Sequence, residues 1–194
     1  MIFESKSQAG QDLWAYKMLV EPDNLFNGTF LDIGCNEPVA WNNTYALEQL
    51  GWTGLLMDNN EGCFGRCRVH RKANSILADA TTFNWDTVGA KDFDYMSLDV
   101  DEATPDALKN LLRLRMNFRA ATIEHDSYRF GMDPRNRMRD MMEAAGYLLL
   151  CRDVNNNDPA FPFEDWWVNP HLVDMAVASR FLSFGCGGRE IAER

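Results

Sequence analysis

Short apolar runs of strand length alternate with segments of helical period along most of this 194-residue chain. This alternation is typical of an α/β sheet, because parallel neighbouring strands need a long crossover connection, usually a helix. The runs are bounded by Gly, Asn, Asp or Lys, and they predict seven strands at residues 29–33, 55–57, 75–78, 95–100, 120–123, 147–151 and 163–168.

Two of the intervening helices have clear starting signals. Thr104-Pro105 and Asp133-Pro134 each combine a capping side chain with a proline suited to the first turn. Leucines follow the first signal at helical spacing and methionines follow the second, and we interpret both stripes as facing the core. They are Leu108, Leu111 and Leu112 in the first helix and Met138, Met141, Met142 and Ala145 in the second, which ends at Gly146.

The two ends of the chain flank the predicted sheet. Ser7 is a candidate cap for a helix over residues 8–19 that would cover the sheet. The turn signal at residues 155–159 predicts that the last two strands form an antiparallel hairpin at the sheet edge. Trp166 and Trp167 would then point to opposite faces of the sheet, and we expect both to pack in the core. At most one of them could instead form an aromatic wall for a bound sugar or planar molecule.

No linker or internal repeat divides the sequence, so we predict a single domain over residues 1–194. Its parts are an N-terminal helix region at 1–28, the sheet core at 29–168 and a C-terminal segment at 169–194. The Gly185-Cys186-Gly187-Gly188 run has no predicted strand before it, and we interpret it as a flexible tail rather than a phosphate loop.

Composition narrows the classes of protein that fit. A hydrophobic content of 46% excludes disorder as the main state, and no run approaches the roughly 18 apolar residues of a membrane span. The start, Met1 to Lys6, lacks a basic region followed by an apolar run, so a non-exported, cytoplasmic protein is expected. Nineteen Lys and Arg against 29 Asp and Glu give a net charge of −10, which disfavours nucleic acid as the main ligand.

The five cysteines are too few and too irregular for a disulfide framework, which fits a reducing compartment. Cys63, Cys67 and His70 have helical spacing and are weighed as metal ligands, against the more ordinary interpretation of packed thiols. The arginines around them, Arg66, Arg68 and Arg71, predict a solvated basic helix face.

Acidic residues follow five consecutive predicted strands. In an open parallel sheet, ligands bind beyond the carboxyl ends of the strands, so these positions are the candidate site. The acids nearest to the strand ends are Asp32, Asp58, Asp79, Asp99 and Glu124.

The loop after the first strand favours one cofactor over another. Gly34 permits a tight turn, but the glycines of a dinucleotide fingerprint are missing and Glu37 adds a negative charge, which would repel a pyrophosphate. S-adenosylmethionine has no phosphate and carries a sulfonium and an ammonium group, which carboxylates attract. Asp58 suits the two hydroxyls of a ribose, and Asp79 followed by Ala80 suits an adenine amino group.

Five segments together resemble the FkbM-type branch of class I S-adenosylmethionine-dependent methyltransferases. They are Ser7-Gln8-x-Gly10-Gln11-Asp12, Leu31-Asp32-Ile33-Gly34, Asn43-Thr44-x-x-Leu47-Glu48, Gly51-Trp52-x-Gly54 and Phe93 to Asp101. The resemblance implies a Rossmann-like, mostly parallel seven-stranded sheet with an antiparallel last strand and helices on both faces. It also implies methyl transfer, usually to oxygen.

The resemblance also assigns cofactor-binding roles by position. Asp32 and Gly34-Cys35-Asn36 would form the first loop, Asp58 and Asn59 the ribose end, Asp79 and Ala80 the adenine end, and Asp99 the floor of the reaction site. Glu37-Pro38 departs from the family, which usually has a second glycine there.

Transfer to a hydroxyl needs a group that removes its proton, or a metal that lowers its pKa. The candidate catalytic residues are Asp99, Asp101, Glu124 and His125, with His125 either a general base or a structural histidine. Asp99, Glu124 and Asp126 are candidate ligands for Mg or Mn, unless these acids cap helices or pair with arginines such as Arg129.

These observations predict an S-adenosylmethionine-dependent O-methyltransferase acting on a small-molecule or saccharide acceptor, not on nucleic acid or at a membrane. Two alternatives remain: a catalytically inactive cofactor-binding or interaction module of the same fold, and a nicotinamide-dependent oxidoreductase, which the acid-rich loop disfavours. The residues do not specify an oligomeric state.

Overall fold

The computed structural model describes residues 3–194. Met1 and Ile2, which belong to the start from which a non-exported protein is expected, lie outside the described residues. Within the described part of the chain, no helix has both the length and the apolar character needed to cross a membrane.

The chain forms one eight-stranded sheet in the order β3-β2-β1-β4-β5-β7-β6-β8. The strands β1 to β5 are mutually parallel, and β7 lies antiparallel between β5 and β6. The strand bounds are β1 Thr29–Ile33, β2 Thr53–Asp58, β3 Asn74–Leu77, β4 Asp92–Leu98, β5 Asn117–Glu124, β6 Leu148–Val154, β7 Glu164–Val168 and β8 Ser183–Phe184.

Helices pack on both faces of the sheet. They are α1 Gln11–Ala15, continued by a π-helical turn at Tyr16–Val20 and by α2 Glu21–Asp23, then α3 Tyr45–Gln49, α4 Glu61–His70, α5 Thr104–Arg113, α6 Ser127–Phe130, α7 Met132–Ala144, α8 Met175–Ala178 and α9 Gly188–Ala192. Short 3-10 turns lie at Trp85–Thr87, Asp101–Ala103 and Ser179–Phe181. The mostly parallel α/β architecture is therefore confirmed.

All seven predicted strands are present, and β1 has the predicted bounds. The eighth strand was not predicted, and the expectation of a flexible tail at residues 185–188 is wrong. The Gly185 N–H donates to the Arg152 carbonyl at 2.9 Å, Gly187 bridges to Asn155, and α9 follows. The backbone of this segment thus pairs with β6 instead of with water.

The predicted hairpin of β6 and β7 forms, but β7 lies inside the sheet rather than at its edge. Trp166 and Trp167 are both buried and belong to the two separate hydrophobic clusters on opposite faces of the sheet. Adjacent strand residues point to opposite faces, so each tryptophan fills one core and neither is a wall for an acceptor.

The predicted helix stripes are largely correct. Leu108 and Leu111 of α5 and Met138 and Met142 of α7 are buried in the same cluster as Trp167. Gly146 ends α7 with φ +88°, as a left-handed residue does. Ala145 is exposed, so its assignment to the buried stripe is wrong.

The first helix begins at Gln11, three residues later than predicted. The Ser7 hydroxyl accepts a hydrogen bond from the Gly10 N–H at 3.0 Å, so it stabilises a turn ahead of the helix. Residues 7–10 form a loop at the carboxyl edge of the sheet instead of a helical turn.

Candidate functional site

A cavity of about 800 Å³ opens at the carboxyl ends of the parallel strands. Its volume is within the range of small-molecule and cofactor sites. It brings together most of the predicted site residues: Gly34, Asn36, Asp58, Asn59, Asp79, Ala80, Asp99, Asp101, Glu124 and Asp126 all line it. Asp32, Cys35 and His125 do not.

The loop after β1 makes a tight turn at Gly34. This residue has φ +80°, and a Cβ built on it would overlap the carbonyl oxygen of Asp99. Its N–H donates to the Met57 carbonyl at 2.8 Å, and the next turn places the Asn36 N–H 2.9 Å from Asp58 Oδ2. Glycine is thus required both by the backbone conformation and by the close approach of β4.

Asp32 and Cys35 support this loop from behind rather than facing the cavity. Asp32 is buried and accepts hydrogen bonds from Thr44 Oγ1 at 2.7 Å and Asn42 Nδ2 at 3.3 Å. Burial raises the pKa of Asp32 despite the nearby Arg71 guanidinium. Cys35 is also buried, with its Sγ 3.5 Å from that of Cys67.

Arg71 was predicted to lie on a solvated basic face, and this prediction is wrong. Its side chain is fully buried, and its guanidinium donates to Glu48 Oε2 at 3.1 Å and to Thr44 Oγ1 at 2.9 Å. It also donates to the Pro38 carbonyl, so one cation ties α3 to the loop after β1. Buried charges require paired, hydrogen-bonded partners, and Glu48 is the partner here.

Two acids lie at the half of the cavity formed by β2 and β3. Asp58 accepts the N–H groups of Asn36 and Asn60, each at 2.9 Å, which fixes the orientation of its carboxylate. Asp79 accepts from the N–H and the hydroxyl of Thr81 at 2.8 and 2.7 Å, and these bonds lower the pKa of Asp79. Both side chains are hydrogen-bond acceptors facing the cavity.

A carboxyl pair forms the floor at the ends of β4 and β5. Burial, and then the carboxylate of Asp99, raises the pKa of Glu124 to about 12, and burial raises that of Asp99 as well. Two neighbouring carboxyl groups removed from water cannot both ionise readily, so the pair holds one proton near neutral pH. With its pKa raised to about 12, Glu124 holds that proton.

Asp101 and Asp126 line the cavity beside an arginine. Both have left-handed backbones, at φ +53° and +41°. Arg129 Nη1 is 2.6 Å from Asp101 Oδ1 and 3.8 Å from Asp126 Oδ2. Of the described residues that line the cavity, Arg129 alone carries a positive charge, and it is already paired.

His125 lies on the other side of this turn, buried among ion pairs. Its Nδ1 accepts the Ser127 N–H at 3.1 Å, and its Nε2 is 3.7 Å from Asp153 Oδ1 and from Asp165 Oδ1. In a neutral imidazole with Nδ1 accepting, the proton is on Nε2, so the ring has no free lone pair for a reacting hydroxyl. This placement favours the structural histidine over the general base.

His125, Asp153 and Asp165 have potential metal-ligand atoms within 4.8 Å of one another. They are the one such group among residues 3–194. Arg135 and Arg139 already bind the two carboxylates, at 2.6 Å to Asp153 and 2.7 Å to Asp165. The two positive charges balance the two aspartates, so the cluster is explained without a cation.

Neither group of candidate metal ligands has all its ligand atoms close together in the described part of the chain. The candidate ligands Asp99, Glu124 and Asp126 share the cavity, but their carboxylate oxygens do not all lie within 4.8 Å of one another. Cys63 and Cys67 are buried while His70 is exposed at the end of α4. The packed-thiol interpretation therefore fits both cysteines.

Sequence reasoning missed one wall of the cavity. The residues involved are Gln8, Tyr128, Asn156, Asp158, Phe161 and Phe163. The rings of Tyr128 and Phe161 meet edge to face, with centroids 5.5 Å apart, and both are about half exposed. The turn at residues 155–159 was identified, but turn chemistry alone does not say which way a turn folds over a sheet.

No family model matches the sequence, and no curated protein matches it. Solved structures of similar fold exist. A putative rRNA-methylase from Clostridium thermocellum has TM-score 0.57 at 14% identity, with 85% of this chain and 97% of that chain covered. A TehB-like SAM-dependent methyltransferase from Corynebacterium glutamicum has TM-score 0.53 at 13% identity, with 80% and 86% covered. An rRNA methylase from Streptococcus thermophilus has TM-score 0.53 at 15% identity, with 87% and 98% covered. The chain therefore has the Rossmann-like fold of class I S-adenosylmethionine-dependent methyltransferases.

Proposed function

We propose that this protein is an S-adenosylmethionine-dependent methyltransferase of the FkbM type that methylates a hydroxyl of a small-molecule or saccharide acceptor. The observation that carries the proposal is one cavity in which the Gly34 turn, Asp58, Asp79 and Asp99 occupy successive strand ends. Fold alone does not specify function, so the argument depends on these side chains.

The residues present fit this cofactor. Asp58 and Asp79 lie at the carboxyl ends of β2 and β3, and hydrogen bonds fix the orientation of each carboxylate. Asp58 can accept hydrogen bonds from ribose hydroxyls, and Asp79 can accept one from an adenine amino group. Asp99 supplies negative charge near the centre, where a sulfonium and an ammonium group would be stabilised. A nicotinamide dinucleotide would instead place its pyrophosphate among these acids, where none of the described lining residues supplies a free cation.

S-adenosylmethionine, when bound, supplies an electrophilic methyl group. The acceptor hydroxyl must lie in line with that group and lose its proton during the transfer. Asp99 is the proposed proton acceptor, because Asp101 and Asp126 are engaged with Arg129. Protonated Glu124 would donate a hydrogen bond to Asp99 and hold its orientation. No step of this mechanism uses a metal or His125.

The cavity wall favours a neutral or positively charged acceptor of modest size. Tyr128 and Phe161 offer an aromatic edge against which a sugar ring can pack, and Asp158 and Asn156 add polar groups. Some proteins of similar fold are described as rRNA methylases, but a chain of charge −10 would repel a phosphate backbone.

The five cysteines are all unpaired, which supports a reducing, cytoplasmic location.

Glu37-Pro38 stands where the family usually has a second glycine, and the inactive-module alternative depends on this difference. Neighbouring residues accommodate it. The Glu37 carboxylate pairs with Arg66 at 3.1 Å, and its carbonyl accepts from Asn42 Nδ2 at 3.0 Å. Glu37 is not among the described residues that line the cavity. The extra negative charge therefore points to α4 and leaves the loop open for a ligand.

The test is transfer of a labelled methyl group from S-adenosylmethionine to a panel of hydroxylated small molecules, saccharides and a structured RNA. We expect labelled product from a small molecule or saccharide, and loss of transfer in Asp99→Asn. Labelled RNA would overturn the acceptor class. Cofactor binding without transfer to any member of the panel would favour the inactive module.

A further inference from the structure

Gln8 projects into the cavity from the loop that precedes α1. Its side chain is exposed and lines the cavity, whereas Ser7 and Ala9 on either side are buried. The proposed mechanism assigns it no role. A single exposed side chain held between two anchored neighbours is well suited to contact a ligand, because little backbone entropy remains to be lost on binding.

Asp12 fixes this loop from the helix side. Its buried carboxylate accepts the hydroxyls of Ser5 and Ser7, each at 2.5 Å, and the Lys6 N–H at 2.6 Å. The Ala9 N–H donates to Gln11 Oε1 at 2.8 Å. A buried carboxylate that accepts several hydrogen bonds gives the loop around it a well-defined conformation. Gln8 belongs to this loop.

The C-terminal segment fixes the loop from the other side. Arg189 Nη2 donates to the Ser7 carbonyl at 3.2 Å. A Cβ on Gly188 would overlap the Ala9 carbonyl oxygen and would lie 2.9 Å from the Ala9 Cβ. Gly188 is therefore needed for close contact between the two chain ends, and its N–H donates to Asn155 at 2.9 Å.

The loop lies over the acid pair rather than over the adenine end. Gln11, three residues beyond Gln8, lies beside Glu164, and Glu164 is paired in register with Glu124 across β7 and β5. Asp79 follows β3 at the far edge of the sheet. Gln8 is thus near the place where the non-nucleoside part of the proposed cofactor would lie.

That part of the cofactor carries a carboxylate as well as an ammonium group. The acids of the cavity attract the ammonium group but repel the carboxylate, and Arg129 is already paired. A neutral amide can donate a hydrogen bond to a carboxylate without adding charge, and such charge-assisted bonds are stronger than neutral ones.

We propose that the Gln8 amide binds the carboxylate of the cofactor's amino-acid part, with Gly188 and Arg189 of the C-terminal segment positioning its loop. The inference rests on the proposed function, because it takes S-adenosylmethionine as the ligand. Gln8 of the Ser7-Gln8-x-Gly10-Gln11-Asp12 segment is thus a binding residue. The glycine-rich residues 185–188 and Arg189 have a positioning role.

Two probes separate this contact from the rest of the site. S-adenosylhomocysteine carries the amino-acid part, and 5′-methylthioadenosine lacks it but keeps the adenosine and the sulfur. We expect Gln8→Ala to weaken S-adenosylhomocysteine binding about tenfold and to leave 5′-methylthioadenosine binding unchanged. Gln8→Glu should weaken the first probe at least as much, because it places a carboxylate beside a carboxylate.

The matched control is Gln49→Ala, at an exposed glutamine of α3 that does not line this cavity. It should bind both probes as the wild type does. Equal binding of S-adenosylhomocysteine by Gln8→Ala and wild type would overturn the contact. Failure of the wild type to bind S-adenosylhomocysteine would instead overturn the proposed function.

The positioning role has its own test. Gly188→Ala and the milder Arg189→Ala should reproduce the selective loss of S-adenosylhomocysteine affinity while 5′-methylthioadenosine binding persists. Gly89→Ala, at an exposed glycine with open space around its Cβ, is the control. Selective loss in Gln8→Ala together with wild-type affinity in Arg189→Ala would refute the positioning role. Equal loss of both probes would indicate general disturbance of the fold and would count against it too.

Discussion

Replacing Glu124 by glutamine should make the protein more stable, and increasingly so as the pH rises. The pKa of Glu124 is raised from 4.5 to about 12, first by burial and then by the Asp99 carboxylate. Above about pH 4.5 the unfolded chain releases this proton while the folded protein keeps it, so the folded state loses relative stability with each further pH unit. Glutamine does not titrate and can donate the same hydrogen bond to Asp99.

The size of the effect follows from one retained proton. A full shift costs about 1.4 kcal/mol per pH unit, or about 4 kcal/mol between about pH 5 and about pH 8. Glu124 borders the cavity and is partly exposed, so solvent screens part of this cost, and about 2 kcal/mol is the expected gain. For a chain of this length such a gain corresponds to a rise in Tm of about 4–8 °C.

The assay is urea unfolding of the wild type and Glu124→Gln, followed by circular dichroism at about pH 5 and about pH 8. The difference in unfolding free energy should grow toward the higher pH. Glu143→Gln, at an exposed glutamate of α7, should match the wild type at both values. A difference that is the same at both pH values would refute the shared proton.

Three further outcomes follow from the geometry. Gly34→Ala should lose S-adenosylhomocysteine binding in calorimetry, since its Cβ has no room and its φ is +80°; unchanged affinity would contradict the loop account. Arg71→Ala should lower the unfolding free energy by about 3–5 kcal/mol, because it leaves a buried carboxylate unpaired. The exposed Arg68→Ala should cost less than about 0.5 kcal/mol. His125→Ala should lower Tm while keeping S-adenosylhomocysteine affinity within about twofold, and a loss of transfer without loss of Tm would restore the general base.

The sheet and the acid-bearing strand ends were predictable because each depends on local sequence. The strand β1 is short, mostly apolar and bounded by glycines, and these local signals are enough to predict its bounds. Asp58 is the last residue of β2 and Asp79 comes two residues after β3, so the carboxyl edge of a parallel sheet brings both to one cavity whatever the helices do.

Residues whose role depends on distant partners were not predictable. Arg71 has the local appearance of a surface cation, and only Glu48, 23 positions earlier, makes its burial possible. His125 follows a strand as a catalytic residue does, yet its ring turns toward Asp153 and Asp165 on β6 and β7. Sequence spacing fixes the backbone position of such a residue but not the direction of its side chain.

The prediction of a flexible C-terminal tail was wrong for a related reason. Glycines normally indicate flexible chain, and the apolar residues just before them, Phe181, Leu182 and Phe184, were not recognised as marking a strand. Here the glycines permit backbone contact with β6 and with Ala9, near the other end of the chain. Close packing of two backbones requires the absence of side chains, which a single sequence does not distinguish from a simple turn.

Calorimetric titration of the wild type with S-adenosylhomocysteine, beside Asp58→Ala and with NADH as the competing ligand class, tests the central claim most directly. We predict micromolar binding of S-adenosylhomocysteine that Asp58→Ala abolishes, and no binding of NADH. Binding of NADH, or the absence of any heat with S-adenosylhomocysteine, would contradict the assignment of this cavity to an S-adenosylmethionine site.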